Sequence, residues 1–131
     1  MLKLHSRRAL ICGSMAYDTI MVFADRFRAH ILPEKLHILN VSFLVPEMRR
    51  EFGGCAGNIA YNLKLLGGEP VVLAAIGSDG HDYLARMDKL GIDKSSVRVE
   101  AGHYTAQAII ITDLDDNQIT AFHPGAMAQS H

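Results

Sequence analysis

Residues 52–68, FGGCAGNIAYNLKLLGG, determine the fold that this sequence predicts. Three glycines precede Asn58, and the apolar residues that follow recur with helical spacing. The predicted apolar face of this helix consists of Ile59, Ala60, Leu63, Leu65 and Leu66. Gly67-Gly68 then ends the helix, because glycine readily takes the left-handed conformation found at helix C-termini. The stretch therefore predicts a glycine turn that leads into one amphipathic helix.

The glycine pair Gly53-Gly54 has two interpretations. A ligand could approach the backbone closely because no Cβ is in the way, and it could bind the unpaired N–H groups of the first helical turn. Asn58 would add an amide that donates to and accepts from hydroxyl groups. A tight turn without a ligand explains the same residues equally well. The stretch contains neither Gly-Lys-Ser/Thr nor Gly-x-Gly-x-x-Gly, so it is not one of the usual phosphate loops.

Length and composition limit the class of protein. The chain of 131 residues suits one modest domain with a core, and 49% of its residues are apolar. The net charge of -1, from 13 basic and 14 acidic residues, argues against a nucleic-acid-binding surface. No apolar run is long enough to span a membrane, and the N-terminal run does not predict a signal peptide. We therefore expect neither nucleic acid nor a membrane as a partner.

Cysteines and histidines give no sign of a cross-linked or metal-bound protein. Cys12 and Cys55 are the only cysteines, which is too few for a disulfide framework and favours a cytoplasmic location. Cys12 stands in an apolar run and is predicted to be buried. The seven histidines are scattered, and none has a metal-ligand spacing from another histidine, a cysteine or an acid. The residues therefore predict no metal site.

An acidic residue follows the first predicted strand. Residues 8–13 form a short apolar run that ends in glycine, which is typical of a buried parallel strand. Asp18 lies just beyond it, and ligands of open α/β sheets bind at the carboxyl ends of strands. Asp18 is therefore a candidate binding residue, although a turn or capping aspartate would look the same in the sequence.

Two predicted strands before the glycine pair form an inserted flap. Thr19–Phe23 continues as an apolar strand, and Lys35–Val45 is rich in β-forming residues until Pro46 closes it. Residues 48–52 are a charged link back to the glycines. Since no helix separates the two strands, they do not belong to a βαβ unit.

The remainder of the chain predicts alternating strands and helices and then a hairpin. Pro70–Ile76 is a buried strand, Asp82–Leu90 is a helix that Gly91 ends, and Val97–Val99 is a short strand. Thr105–Thr112 and Gln118–Phe122 pair around a turn at residues 113–117, and a loop follows at residues 123–127. The pattern predicts an α/β fold with a β flap.

Several of these segments together resemble the N-terminal signature of the ribokinase-like (PfkB) family of carbohydrate and nucleoside kinases. The resemblance lies in Gly53–Asn58 with its helix, in Gly77-Ser78-Asp79-Gly80, and in Leu90-Gly91-Ile92. The Gly77–Gly80 turn is one residue tighter than the commonest form. The resemblance implies the N-terminal part of a ribokinase-like fold, with a parallel sheet and flanking helices at about residues 8–18 and 53–98. Residues 19–52 and 99–122 would form a β-sheet lid.

The resemblance also implies roles for individual residues. Asp18 and Asn58 would bind the ribose hydroxyls of the acceptor. Gly53 and Gly54 would be the hinge on which the lid closes. If the acceptor carries a base, the lid residues expected to contact it are Asn40, Ser42, Gln107 and Ile109.

Within the family, the chain is most similar to bacterial adenosine kinases and related nucleoside kinases. Two of the segments that carry this similarity are residues 13–18 and 120–127. A full-length parent would then use ATP and Mg²⁺ to convert adenosine to AMP. A sugar kinase acting on ribose or fructose remains an alternative, because Asp18 and Asn58 suit either acceptor. A non-catalytic assembly module is the other alternative for the chain as it stands.

The sequence departs from the family where the catalytic half should follow. It lacks the Gly-Ala-Gly-Asp segment with the catalytic aspartate, the ATP site and the Asn-x-x-Glu motif associated with magnesium. Phosphoryl transfer needs a metal, phosphate clamps and a positioned base. We therefore assign no catalytic residue and expect the chain alone to be inactive and to bind neither ATP nor Mg²⁺. We also expect it to form a homo-oligomer through lid strands or through the sheet face that lacks its neighbours.

Overall fold

The computed structural model describes residues 8–129, which form two β-sheets and two α-helices. The strands are β1 (Arg8–Cys12), β2 (Ala16–Val22), β3 (Glu47–Gly53), β4 (Glu69–Gly77), β5 (Val97–Glu100), β6 (Ala106–Thr112) and β7 (Gln118–His123). The helices are α1 (Cys55–Leu65) and α2 (His81–Leu90), and 3₁₀ turns cover Phe27–Ala29, Pro33–Ile38 and Gly125–Gln129. Neither helix in this range is long and apolar enough to cross a membrane. The predicted α/β class is confirmed.

The core lies between a parallel sheet and the two helices. The sheet has the order β1-β4-β5. Because side chains alternate along a strand, Ile11, Val72 and Ile76 point to one side of this sheet, where they join the buried cluster. The helices contribute the buried residues Ala56, Ala60, Tyr83 and Met87.

The buried face of α1 agrees with the predicted one only in part. Ile59, Leu65 and Leu66 are exposed, whereas Ala56 and Ala60 are buried and Leu63 is half-buried. The reason is close packing: Tyr83 of α2 lies directly against Gly57, where a Cβ would be 2.9 Å from its Cζ atom. Small side chains on this face of α1 allow that approach.

The strand and helix that follow α1 agree with the sequence. The predicted strand Pro70–Ile76 lies within β4, and the predicted helix Asp82–Leu90 lies within α2. The helix ends at Gly91, whose φ of 63° is left-handed. The short strand β5 pairs with β4. The segment assigned to the lid from residue 99 therefore begins inside the parallel sheet.

The second sheet, called the flap sheet below, has the order β3-β2-β6-β7. The strand β2 is antiparallel to β3 and parallel to β6. The predicted hairpin is confirmed, because β6 and β7 pair antiparallel around residues 113–117. The flap sheet begins at Ala16, so β2 carries Asp18 within the strand and not in a turn before it.

The strand predicted at Lys35–Val45 is not formed. Pro33–Ile38 is a 3₁₀ turn, and residues 39–45 have no regular structure. The flap sheet instead uses the charged segment Glu47–Gly53 as β3. Since β3 and β6 occupy the two edges of β2, no edge of β2 is left for residues 35–45.

A buried aspartate fixes the hairpin turn to the loop after β2. The Asp113 carboxylate accepts the backbone N–H groups of Phe27, Asp115 and Asn117, each at 2.9 Å. Burial by itself raises the pKa of Asp113, but these hydrogen bonds outweigh it and lower the pKa to about 2. The ionised carboxylate is therefore the form that stabilises this end of the flap sheet.

We expect the Asp113→Asn variant to be less stable at pH 7 and less sensitive to acid. The pKa of Asp113 is about 2 in the folded chain and roughly 3.9 in an unfolded one. Its stabilisation is therefore complete above about pH 4 and is lost as the pH falls towards 2. Urea midpoints at pH 7 and pH 3 should differ less for this variant than for wild type. The control is Asp116→Asn, an exposed carboxylate in the same turn. If the urea midpoints of wild type and Asp113→Asn depend on pH in the same way, the Asp113 carboxylate does not have this stabilising role.

The face of the parallel sheet that points away from the helices is uncovered in residues 8–129. Leu10 is 63% exposed and Leu73 is 47% exposed. The prediction that Cys12 is buried is wrong: its thiol is exposed, because Ile11 faces the helices and its neighbour must face the other way. Cys12, Leu73 and Met127 help to line an open cavity of about 580 Å³ on this side.

We expect the 131-residue chain to self-associate through this uncovered face. Monomers rarely expose contiguous apolar surface of this kind. Sedimentation equilibrium at micromolar concentration should give a mass above 14.4 kDa, and Leu73→Gln should shift the chain towards the monomer. The control Leu66→Gln removes a leucine that is 84% exposed at the end of α1, and it should leave association unchanged. A monomeric wild-type chain would rule out this prediction. If Leu73→Gln does not weaken association, the edge strands β3 and β7 would be the site of contact between copies.

Candidate functional site

The glycine pair stands where β3 ends and α1 begins, and its two members make different contacts. Gly54 has a φ of 88°, and a Cβ there would lie 2.5 Å from the carbonyl oxygen of Ser14 and 2.8 Å from the nitrogen of Ala16. A Cβ on Gly53 would lie 2.9 Å from the carboxyl carbon of Asp18. Gly54 is therefore required by the backbone, whereas a side chain at position 53 would displace the Asp18 carboxylate.

The Asp18 carboxylate is half-buried and lacks a partner. Within residues 8–129 it forms no hydrogen bond and no ion pair. Its oxygen atoms are open to solvent, since no buried side-chain oxygen in residues 8–129 lacks a partner. An accessible carboxylate can accept hydrogen bonds from the hydroxyl groups of a ligand, so Asp18 is a candidate binding residue.

Asn58 lies on the other side of the glycine pair, one turn into α1. Its backbone N–H donates to the Gly54 carbonyl at 3.0 Å. Its side chain is exposed, and the amide has no hydrogen-bond partner in the part of the chain that the structure describes. Asp18 and Asn58 thus flank Gly53-Gly54, each with unused hydrogen-bonding capacity.

The N–H groups at the start of α1 are not available to a ligand. Ser14 Oγ accepts the Cys55 N–H at 2.9 Å, and the Ser14 carbonyl accepts the Ala56 N–H at 2.9 Å and the Gly57 N–H at 3.4 Å. The interpretation that these groups bind a ligand is therefore wrong. Ser14 caps the helix from the turn between β1 and β2, and no sequence spacing signals a cap from so far away.

The pairing register places Asp18 in a row of side chains across the flap sheet. Asp18 pairs with Glu51 of β3 and with Ala108 of β6, and Ala108 pairs with Phe122 of β7. Neighbouring strands are about 4.8 Å apart, so the backbones at Asp18 and Phe122 are roughly 10 Å apart. Phe122 is 55% exposed. This face therefore carries, from β3 to β7, two carboxylates, a small residue and an aromatic ring.

Gln107 and Ile109, predicted to contact a base, are on the opposite face of the flap sheet. Both alternate with Ala108 along β6. The side-chain amide of Gln107 donates to the Thr19 hydroxyl at 3.0 Å on that face. The two side chains therefore do not share the face of Asp18, and the register that sets the face is not visible in the sequence. Their contact with a base stays a prediction.

Asn40 and Ser42, the other two predicted lid contacts, are not part of the flap sheet. Both are exposed and lie in the irregular segment 39–45. Phe43 anchors this segment against Phe23, with ring centroids 4.7 Å apart. Since Phe23 follows β2 at the end away from the glycine pair, the structure does not bring Asn40 or Ser42 into the row of Asp18.

A cluster of three rings supports the glycine pair from the side opposite Asp18. It consists of Tyr17, Phe52 and Tyr83. The Tyr83 hydroxyl donates to the Gly53 carbonyl at 2.7 Å, and the Tyr17 hydroxyl accepts the Tyr83 backbone N–H at 3.2 Å. These contacts tie α2 to the end of β3. No local pattern in the sequence indicates that these three rings meet.

The Gly77–Gly80 turn has a structural role. The Asp79 carboxylate accepts both the backbone N–H and the hydroxyl of Thr105 at 2.7 Å, and the Thr105 hydroxyl accepts the Gly77 N–H at 3.0 Å. Thr105 is fully buried. The turn therefore holds the start of β6 against the parallel sheet.

The arrangement suits a ligand with hydroxyl groups and a flat ring. Carboxylate oxygens accept hydrogen bonds from hydroxyls strongly, and an exposed aromatic side chain provides a stacking surface. Across residues 8–129, no group of three or more His, Cys, Asp or Glu side chains is placed to hold a metal ion.

The sequence profile of the pfkB family carbohydrate kinases matches residues 15–131. The chain belongs to the pfkB carbohydrate kinase family. The resemblance seen in the sequence is thereby confirmed. The matched range of this pfkB chain includes Asp18, the glycine pair, Asn58 and both strands of the hairpin.

Several relatives of this pfkB chain are nucleoside kinases. The nucleoside kinase of Methanothermobacter thermautotrophicus is 34% identical over 122 residues, which are 92% of this chain and 36% of that protein. The structure of Burkholderia thailandensis nucleoside kinase in complex with inosine is 62% identical, with a TM-score of 0.77, and the match covers 93% of this chain and 38% of that one. A second structure of the Burkholderia enzyme is in complex with ADP-inosine, with 64% identity, a TM-score of 0.69, and coverage of 93% and 39%.

The structural likeness extends to an archaeal nucleoside kinase described as a member of the ribokinase family. That Methanocaldococcus jannaschii enzyme is 31% identical, with a TM-score of 0.77, over 92% of this chain and 38% of that one. The predicted fold, the N-terminal part of a ribokinase-like fold, is confirmed. The chain spans between 36% and 39% of the length of these relatives.

Proposed function

We propose that this chain is the acceptor-binding part of an ATP-dependent nucleoside kinase, which transfers a phosphoryl group to the 5′-hydroxyl of a nucleoside. The observation that carries the proposal is the row on the flap sheet, where the unpaired Asp18 carboxylate and the exposed Phe122 ring lie on one face. The nucleoside kinases among the relatives, one of them solved with inosine, support it.

Each part of the row has a role in acceptor binding. Asp18 accepts hydrogen bonds from the ribose hydroxyls, and Asn58 binds them from the far side of the glycine pair. Ala108 leaves room for the nucleoside, and Phe122 stacks on the base. A free sugar has no base to stack, so Phe122 favours a nucleoside over ribose or fructose. Purine nucleosides are the proposed class, because the sequence resemblance favours adenosine and the Burkholderia relative binds inosine.

The described residues do not fit the phosphate donor or its metal. Ser14 occupies the N–H groups of α1 that could hold a phosphate, and no cluster of metal ligands is present in residues 8–129. ATP and Mg²⁺ would therefore be held by other parts of a longer protein. The chain's own contribution is to fix the acceptor beside Asp18 and to cover it with the flap sheet, which excludes water.

Acceptor selectivity tests the proposal. The full-length protein should be purified and assayed with ATP and Mg²⁺ on adenosine, inosine, guanosine, ribose and fructose. We expect kcat/KM for at least one purine nucleoside to exceed that for both sugars by about two orders of magnitude. A preference for ribose or fructose would overturn the nucleoside assignment in favour of a sugar kinase. No phosphorylation of any acceptor would overturn the kinase proposal and favour an assembly module.

A further inference from the structure

We propose that Tyr83 is a positioning residue of the acceptor site, whose hydroxyl fixes the Gly53 peptide and thereby the place of the Asp18 carboxylate. This inference rests on the proposed function and adds a residue from α2 to its site. Tyr83 does not contact the acceptor in this scheme and acts through Gly53.

Gly53 is held between the two side chains. On one side its carbonyl accepts the Tyr83 hydroxyl at 2.7 Å. On the other side the Asp18 carboxylate fills the place where a Cβ would be, with Cγ 2.9 Å from that position. A shift of the Gly53 peptide therefore changes the surface against which Asp18 rests.

The Tyr83 hydroxyl occupies a space beside Gly57 that only glycine leaves open. A Cβ on Gly57 would collide with this hydroxyl, so α1 admits the phenol only because residue 57 is glycine. The ring is 3% exposed and packs against Phe52 and Tyr17, with centroids 5.0 Å and 5.7 Å away. Water has little access here, so it does not compete with the Tyr83 hydroxyl for the Gly53 carbonyl.

Electrostatics keep the hydroxyl as a donor. Burial is the main cause that raises the pKa of Tyr83 to about 12, and the charge of Asp18 adds to the rise. Arg86 acts in the opposite direction without reversing it. Tyr83 is therefore protonated at any pH at which a kinase would be assayed.

The Tyr83 hydrogen bond matters because its partner is the peptide at the end of β3, where Gly53 pairs with Ala16. Glycine has no Cβ to restrict its backbone angles, so this hydrogen bond helps to fix the Gly53 peptide. Without the hydroxyl, the Gly53 carbonyl loses this donor and the peptide can shift. Asp18 would then meet the ribose hydroxyls in a wider range of positions, which weakens binding of the acceptor without affecting ATP.

The test is Tyr83→Phe in the full-length protein, which removes one oxygen atom. We expect the KM for the nucleoside to rise about three- to tenfold, the change that follows from the loss of one hydrogen bond, while the KM for ATP is unchanged. The matched control is Tyr104→Phe. Tyr104 is 67% exposed, and its hydroxyl has no hydrogen-bond partner in residues 8–129, so this variant should behave as wild type.

A second variant tests the same contact from α1. Gly57→Ala places a methyl group where the Tyr83 hydroxyl lies, so it should also raise the KM for the nucleoside. In the Tyr83→Phe background the hydroxyl is gone, and the same alanine should add less than it does in wild type. Additive effects would overturn the proposal, because they would show that the two residues act independently.

Two further outcomes are decisive. If Tyr83→Phe lowers the melting temperature but leaves the nucleoside KM unchanged, Tyr83 only stabilises the fold and the positioning role is overturned. Asp18→Ala, measured in parallel, separates this inference from the proposed function. A normal KM in Asp18→Ala would overturn both, whereas a raised KM in Asp18→Ala with a normal KM in Tyr83→Phe would overturn only the role of Tyr83.

Discussion

Replacement of Asp18 by alanine in the full-length protein should raise the KM for the nucleoside about 100-fold or more. A hydrogen bond to a charged group contributes roughly 1.5–3 kcal/mol, which corresponds to roughly 10- to 150-fold in affinity for each hydroxyl bound. The carboxylate has no partner in residues 8–129, so its full hydrogen-bonding capacity is available to the acceptor. Steady-state kinetics with saturating ATP will measure the change.

Stability measurements on the same variant separate binding from folding. Because Asp18 is half-buried without a partner, its removal should leave the urea midpoint unchanged or raise it, as is common for residues that serve a ligand. Asp18→Asn keeps the shape but removes the charge, so its KM should lie between wild type and Asp18→Ala. Cys55→Ala is the control beside the site and should have a near-normal KM. Equal KM values for wild type and Asp18→Ala would exclude the ribose-binding role.

The elements that the sequence predicted correctly are those with local signals. The helix α2 has an apolar face and a glycine at its end, and β4 is an uninterrupted apolar run, so both could be recognised within a short window. The turn at residues 113–117 is rich in Asp and Asn, which favour turns through their side chains. For these segments the local preference and the tertiary structure agree.

The wrong predictions for the flap sheet concern segments in which apolar residues are exposed or charged residues form a strand. Lys35–Val45 resembled a strand because of its apolar residues, yet Ile38 is 68% exposed and Leu44 is 87% exposed. Residues 48–52 resemble a link because they are charged, but they lie in β3, an edge strand of the flap sheet that keeps those charges in solvent. Sequence alone could not show which segment would take the free edge of β2.

The site was predictable only in part for a related reason. Asp18 and the glycine pair belong to a recognisable motif, whereas Ser14 and Phe122 gain their roles from contacts across the fold. Ser14 reaches Cys55, 41 residues away, and Phe122 reaches the row of Asp18 only through the pairing of β6 with two other strands. No local pattern encodes either contact.

The second large effect is expected from Gly54→Ala, which should destabilise the chain by at least about 3 kcal/mol. Gly54 has φ and ψ of 88° and 145°, a conformation that costs other residues about 1–3 kcal/mol. The added Cβ would also lie 2.5 Å from the Ser14 carbonyl oxygen and 2.8 Å from the Ala16 nitrogen. Both are backbone atoms and cannot rotate away, so Ser14 must move and its cap on α1 weakens, at a further cost of about 1 kcal/mol.

Gly102→Ala distinguishes the collision from the backbone strain. Gly102 also has a positive φ, of 78°, but a Cβ there would meet no atom within 4 Å. This variant should therefore lose only the energy of the strained backbone, roughly 1–3 kcal/mol, and keep a cooperative urea transition. Gly54→Ala should unfold at a clearly lower urea concentration or show no cooperative transition, because the collision adds to the strain and separates the flap sheet from α1. Equal urea midpoints for the two variants would mean that the backbone at Ser14 can move without loss of stability. Gly54 would then be needed only for its backbone angles.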